Sequence, residues 1–548
     1  MTDDPIRRPP LPRRPPGQPW WQRTGAARPL GVQLKPTQED GFGREAVQPT
    51  GYAPRHLLVT GSDELDSVYE VLNAAALHFG WSILITTLDG EVLDTVDARN
   101  AAQQQAQGER AAGRVPALYR ALIVVDPKDD VDDEPVAVID AWRLLEDARS
   151  RGLVRRVGLD HVMSVGPFPR TNPFTRTNPF TRTNPFTRTN APGPDGYADP
   201  GSGGREAVSF AGAAPTHEID VVEGGRRPVV AILDTGCGSH PWLDGHVRLD
   251  PVLPNGGAIG RYDPATDPEV YGDQAGPYDG FLDDAAGHGT FIAGIIRQRC
   301  PEAEIVAIRV ADSEGLVLEG DFLEAVRSLV AWIRGDDGDA QPIDVLNLSI
   351  GYYHETPRDV RFDDTMSLLL ADARKQGCAV VCSAGNDSTD RPAFPAALWR
   401  YAGAEYDVVE PEDAAPHVSV GALNPDNETV ALFSNIGAWV KVYAPGTSVL
   451  STSPAFQGAV QAGTRDDVTI DGVVLARASI DPDDFTGGFA LWSGTSFAAP
   501  YIAGSIAHRV AQGMLAGKSS PDAAERSRDL RDAADAITQV LGVPGTTA

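Results

Sequence analysis

Gly494-Thr495-Ser496-Phe497-Ala498-Ala499-Pro500 is the stretch on which the reading of this chain turns. It sets a serine among small residues where a helix begins. A serine hydroxyl is a weak nucleophile at neutral pH. It needs a base to take its proton and donors to hold the oxyanion that its attack creates. The free N–H groups of a helix N-terminus point at that developing charge. Segments upstream supply the missing groups. Val229-Val230-Ala231-Ile232-Leu233-Asp234-Thr235-Gly236 is an apolar run, read as a buried strand, that ends in a carboxylate. Gly287-His288-Gly289-Thr290 sets an imidazole between glycines that let backbone and substrate approach closely. Ser383-Ala384-Gly385-Asn386 follows a second apolar run, Cys378 to Cys382. Taken singly, these blocks read as a turn after a strand, a structural histidine and a loop with a left-handed Asn. Their order and spacing favour a catalytic reading.

With Asp234, His288, Asn386 and Ser496 in that order, the chain resembles the subtilisin-like serine proteases (subtilases) over about residues 225–515. The resemblance implies an α/β domain: a largely parallel sheet with helices on both faces and the site at the carboxyl ends of the strands. It also implies acyl transfer. Ser496 attacks the peptide carbonyl, His288 is base and then acid, and Asp234 orients His288. Asn386 and the Ser496 N–H hold the oxyanion. No metal or other cofactor is required for that chemistry. Structural calcium is frequent in the family, but no acidic loop here has the spacing of a calcium site. The expected substrate is a peptide or protein, bound as an added strand. Ser349, Ile350 and Gly351 match one side of the family's cleft, Gly315 the other edge, and Ala384 and Gly385 the segment before Asn386. The specificity pocket stays unassigned. Glu314, Asp283 and Asp284 either favour basic side chains or form a solvated acidic loop.

The chain has 548 residues, enough for two or more domains. Lys and Arg total 47 against 76 Asp and Glu, a net charge of −29. That excess argues against non-specific nucleic-acid binding. No run of about 18 apolar residues suggests a membrane span, and residues 1–50 hold no apolar core of a secretion signal. The expectation is therefore a cytoplasmic protein without membrane contact. Four cysteines, at 237, 300, 378 and 382, imply no disulfide framework. Cys237, close to Asp234, reads as an inert buried thiol or a site sensitive to thiol reagents.

Residues 1–53 are rich in Pro and Arg and are expected to be disordered. Residues 54–166 read as a small α+β domain in the order βαββαβ. Its elements are a strand at 55–60, a helix capped by Ser62, strands at 81–86 and 119–125, a helix at 136–151 and a strand at 154–165. The polar stretch 103–114 reads as loop or exposed helix. In place and element order the domain resembles an inhibitory subtilase prodomain, whose tail lies in the cleft; an unrelated adaptor domain is the alternative. Residues 167–206 form a linker in which Arg-Thr-Asn-Pro-Phe-Thr repeats with a period of six. Its regular prolines favour an extended chain. It is a neutral repeat expansion, a processing site, or a docking tether for a partner that reads Asn-Pro-Phe. The peptidase domain spans 207–516, with a hairpin at 468–478, and 517–548 holds a helix from 521 to 541 and a tail. The function expected is serine endopeptidase, as a self-processed zymogen. The alternatives are an inactive peptide-binding pseudoprotease, or an adaptor whose N-terminal region carries the main role.

Overall fold

A computed structural model describes residues 30–34, 47–60, 64–125, 138–152, 156–165, 205–249, 251–253, 256–275, 282–336, 338–355, 364–399, 413–456, 465–478, 485–520 and 522–541. The hexapeptide repeat, the Gly/Pro-rich stretch after it and residues 543–548 lie outside them.

The catalytic half is built on a seven-stranded sheet, parallel throughout. Its strands are β7 (Val229–Asp234), β8 (Val247–Leu249), β9 (Glu304–Arg309), β11 (Val345–Leu348), β12 (Ala379–Ser383), β13 (His417–Leu423) and β14 (Val442–Pro445). They run in the order β14-β13-β12-β11-β7-β9-β8. Burial on both faces is why these strands are continuous apolar runs rather than alternating ones. Alternate residues then separate by face. Val230 and Ile232 of β7 join a core with α4 (His288–Arg299) and α7 (Thr495–Leu515). Ala231 and Leu233 join a second core with α5 (Glu319–Arg334) and α6 (Asp364–Lys375). The final helix, α8 (Ala523–Leu541), adds Leu530, Ala533 and Ala534 to the first core, so it belongs to this domain rather than to a tail. Three short strands, β6 (Glu206–Val208), β15 (Val449–Thr452) and β18 (Phe489–Trp492), make a separate antiparallel sheet. The expected hairpin is present as β16 (Arg465–Ile470) and β17 (Val473–Ala478).

The N-terminal half contains β1 (Val32–Gln33), β2 (Gly51–Thr60), α1 (Leu65–His78), β3 (Ser82–Thr87), α2 (Val96–Ala111), β4 (Leu118–Val124), α3 (Ala141–Ser150) and β5 (Val157–Ser164). The sheet is antiparallel, in the order β5-β2-β4-β3. Two expectations need correction. A full helix, α2, stands between the second and third main strands, so the order is βαβαβαβ. Only Arg99 and Ala106 of α2 are buried. Its contact with the core is a narrow alanine stripe, Ala98, Ala102 and Ala106, beside the Arg99–Asp66 ion pair, and its start is capped by Thr95 Oγ1 accepting from the Ala98 N–H. The ordered chain also begins before residue 54, because β1 pairs with the start of β2. Ser62 lies outside the described residues; the residue before α1 is Glu64, without a side-chain cap bond. The third helix starts at its cap Asp140.

One face of this sheet carries its own helices. The other packs on the catalytic half: Leu58, Leu118, Met163 and Val165 belong to the core of α5 and α6. The sheet even crosses the junction. Strand β10 (Leu316–Leu318) of the catalytic half pairs antiparallel with Val162–Ser164 of β5. Charge reinforces the contact. Asp160 is fully buried and accepts from His56, from Arg120 and from the Gly320 N–H at the start of α5. Burial raises its pKa, but these donors outweigh burial and hold it at about 2. Arg120 also reaches Asp321. Beside them, His161 lies between Glu319 (Nδ1–Oε2 2.7 Å) and Glu355 (Nε2–Oε2 2.8 Å), all three buried.

Among the described residues no helix is long and apolar enough to cross a membrane. The four cysteines are free and buried. Burial pushes the Cys237 thiol far above its ordinary pKa, which matches the inert reading.

Candidate active site

Asp234 is the last residue of β7, His288 the first of α4 and Ser496 the second of α7. The parallel sheet delivers all three to the carboxyl ends of its strands. Asp234 is fully buried, and its Oδ1 accepts from the Thr235 N–H at 2.8 Å. His288 Nδ1 lies 2.7 Å from the same Oδ1. Because a carboxylate there only accepts, this contact fixes the proton on Nδ1 and leaves Nε2 as a base. Trp492 and Phe497 pack on the imidazole, with ring centroids at 5.5 and 5.3 Å.

Gly494 precedes α7 and has no side-chain cap, so the helix's first N–H groups are left to other partners. Asn386 takes one. Its Oδ1 accepts from the Thr495 N–H at 2.8 Å and the Thr495 hydroxyl at 2.9 Å. With the oxygen so engaged, the amide NH₂ is the end of Asn386 left to face the Ser496 pocket. Ser349 serves the same helix from below. Its hydroxyl donates to the Ser496 carbonyl at 2.9 Å, so this side chain steadies the nucleophile's backbone instead of facing a peptide. Ile350 is buried in the core. The Ala384 carbonyl accepts from Asn435, and Gly385, at a φ of 101°, donates to Thr495 Oγ1.

The cleft is occupied by the chain itself. Ser496 Oγ donates to the carbonyl of Val165 at 2.7 Å. The strand that brings Val165 there is held on both sides. The Val165 N–H donates to Gly315 O at 2.9 Å, while Ser164 and Gly351 exchange bonds of 2.9 and 3.0 Å. Gly315 has a φ of +79°, and a Cβ there would fall 2.3 Å from Val165 Cγ2. Beside Val165 a cavity of about 20 Å³ is lined by Gly351, Tyr353, Gly385, Asp387 and Ala393. The Tyr353 hydroxyl donates to Asp387 at 2.7 Å.

Of the acidic residues near the cleft, Asp283 is turned inward. Its carboxylate accepts from the N–H groups of Gln274 and Ala275, and its carbonyl from Arg205. Arg205 also lies 4.6 Å over Trp492. Sequence reasoning missed the roles of Val165 and Asp387, which lie outside the motifs, and of Thr495, which lies inside one but was not singled out. Two histidine clusters do not suit a metal. Both nitrogens of His161 are already engaged by carboxylates. His217, His246 and Glu304 face Arg227 and Arg297; burial and these cations hold His217 down at about 4.

The model of the family described as the subtilase family matches residues 225–517, more than half of the chain. The chain belongs to the subtilase family. This subtilase is 28% identical over 302 residues to an intracellular serine protease of Paenibacillus polymyxa, covering 52% of this chain and 66% of the relative. It is 28% identical over 305 residues to a thermophilic serine proteinase of Bacillus sp. strain AK1, covering 54% and 55%. It is 26% identical over 244 residues to the serine protease AprX of Bacillus subtilis strain 168, covering 41% and 48%. The aligned part thus spans from about half to two thirds of these relatives.

Proposed function

We propose that this subtilase is a serine endopeptidase made as a latent precursor, with the domain ending at Val165 as its inhibitor and Val165–Gly166 as the bond it cuts first. The 2.7 Å approach of Ser496 Oγ to the Val165 carbonyl carries the reading. That carbonyl accepts the nucleophile's own hydroxyl in a strand hydrogen-bonded to Gly315 and Gly351, so the end of the N-terminal domain lies in the cleft as a substrate strand would.

In the reaction, His288 Nε2 takes the proton of Ser496 as Oγ attacks the carbonyl carbon. Asp234, held on Nδ1–H, keeps the tautomer and balances the imidazolium. The oxyanion receives the Ser496 N–H and the amide of Asn386. His288 then gives its proton to the leaving amine, whose departure leaves an acyl-enzyme. Water, deprotonated by the same imidazole, releases the acid. No metal takes part in these steps. The small cavity beside Val165 favours a small aliphatic side chain on the acyl side of the cut. Substrates are peptides or proteins that can enter the cleft as a strand.

Intact mass against time, for full-length protein beside Ser496→Ala, tests the reading. The expected result is a new C-terminus at Val165 in the active form only. A wild-type chain that stays whole yet reacts at Ser496 with a phosphonate probe overturns self-processing. Folded protein freed of residues 1–165 that does not react with the probe overturns the peptidase reading itself.

A further inference from the structure

Behind Asp234 and His288 lies a second carboxylate that the acyl transfer does not use. Glu269 is 3% exposed and stands in the connection between β8 and α4. Its Oε1 accepts from Thr235 Oγ1 at 2.5 Å and from the Gly289 N–H at 3.1 Å. Its Oε2 accepts from Thr290 Oγ1 at 2.5 Å, with the Thr290 N–H at 3.4 Å. Thr235 follows Asp234; Gly289 and Thr290 follow His288. A single side chain therefore ties together the residues next to both groups. The Thr235 hydroxyl closes the arrangement by accepting from Gly289 at 2.9 Å.

Two features make this more than a packing contact. Gly287 precedes α4 in a left-handed conformation and offers no side-chain cap. Glu269 supplies the missing acceptor from a distant loop, so it anchors the first turn of the helix whose first residue is His288. A buried charge is also an expensive brace. Burial, helped by the Asp267 and Asp234 charges and opposed by the bonds from Thr235 and Thr290, lifts the Glu269 carboxyl to about 7. A neutral amide would fill the same space without that cost.

We infer that Glu269 is a positioning residue: it locks Thr235 to Gly289 and Thr290 and so sets the Asp234–His288 contact. This rests on the triad reading above. The other charged or titratable groups around Glu269 are Asp267, Cys237 and Arg309. Arg309 lays its stem along Gly236 and turns its guanidinium to the carbonyls of Asp263 and Thr266. None of them supplies a second acceptor to Gly289 or Thr290 among the hydrogen bonds described.

The test compares self-processed wild type with Glu269→Gln, Thr290→Ser and Thr290→Val, all titrated at Ser496 with a phosphonate. Glu269→Gln is expected to lose about 10- to 100-fold in kcat with KM within about threefold. Thr290→Ser keeps the hydroxyl and stays within about threefold of wild type, while Thr290→Val follows Glu269→Gln. An unchanged kcat in Glu269→Gln overturns the inference, as does a drop confined to melting temperature. If Glu269→Gln does not fold, the Ser and Val pair decides, and equal activity in the two overturns it. A folded wild type, free of its N-terminal domain, that leaves the probe unreacted defeats the triad reading and this inference with it. An active wild type with an indifferent Glu269→Gln defeats this inference alone.

Discussion

Raising the pH should loosen the N-terminal domain from the protease, and His161 sets the size of the effect. Burial opposes its charge, but the bonds and charges of Glu319 and then Glu355 outweigh burial and lift the imidazole to about 10. His354 and Tyr352 pack on the same ring, and Arg149 lies 3.6 Å from Glu355. Once the domain departs, His161 returns to the ordinary value of about 6.5. The bound state therefore holds one more proton than the separated parts between those two limits. For a pKa raised in the complex, the stabilisation is complete below about 6.5 and is lost as pH climbs toward about 10. Each pH unit in that window weakens binding by at most about 1.4 kcal/mol, or tenfold. From pH 7 to 9 the dissociation constant should thus rise by up to about 100-fold. The assay is the recovery of peptidase activity after dilution of self-processed protein, followed with a chromogenic peptide at each pH. His161→Gln should abolish the pH slope. It should also weaken binding at pH 7 by about 3 kcal/mol, because Glu319 is left buried without its cation and Glu355 keeps only Arg149. A flat dissociation constant between pH 6.5 and 10 in wild type, or an equal slope in His161→Gln, would refute the reasoning.

Ser496→Ala should keep the chain whole and lower peptide hydrolysis by about a millionfold, read by mass and by progress curves. Asn386→Ala should cost about 100- to 1,000-fold in kcat with little change in KM, measured on titrated enzyme; a loss confined to KM would remove Asn386 from the oxyanion site. Gly315→Ala places a methyl 2.3 Å from Val165 Cγ2. It should slow self-cleavage and raise KM more than it lowers kcat, and processing at the wild-type rate would contradict the placement of Val165 in the cleft.

The catalytic half was largely legible because its signals are local. Each of the Asp234, His288, Asn386 and Ser496 segments joins a strand or helix end to a few small residues, and one window holds each. The helix α2 was harder to read because most of its surface is solvated and its inward stripe is only the alanines at 98, 102 and 106, which stand out little from a polar sequence. Glu269 gave no signal. It is one acidic residue in a loop rich in Asp, and only folding shows that, among the described acidic residues of that loop, it alone is buried. The contacts of His161 were equally hidden, since its partners lie 158 and 194 residues away. Val165 could be placed near the end of a strand, but which carbonyl meets Ser496 depends on the register of that strand against Gly315 and Gly351.

The sheet that crosses the junction is also altered when the N-terminal domain leaves. Strand β10 then loses its partner β5 and becomes a bare margin, with the Gly315 carbonyl and the Gly351 amide on the facing wall equally unmatched. Such a margin recruits any extended chain that reaches it. Peptide backbone supplies the attraction whatever its sequence, so discrimination falls to the few side-chain cavities along the groove. A neighbouring molecule of the same protein is as eligible as any other guest. Crowding freshly opened enzyme should therefore convert latency into mutual digestion, and dilution should protect it.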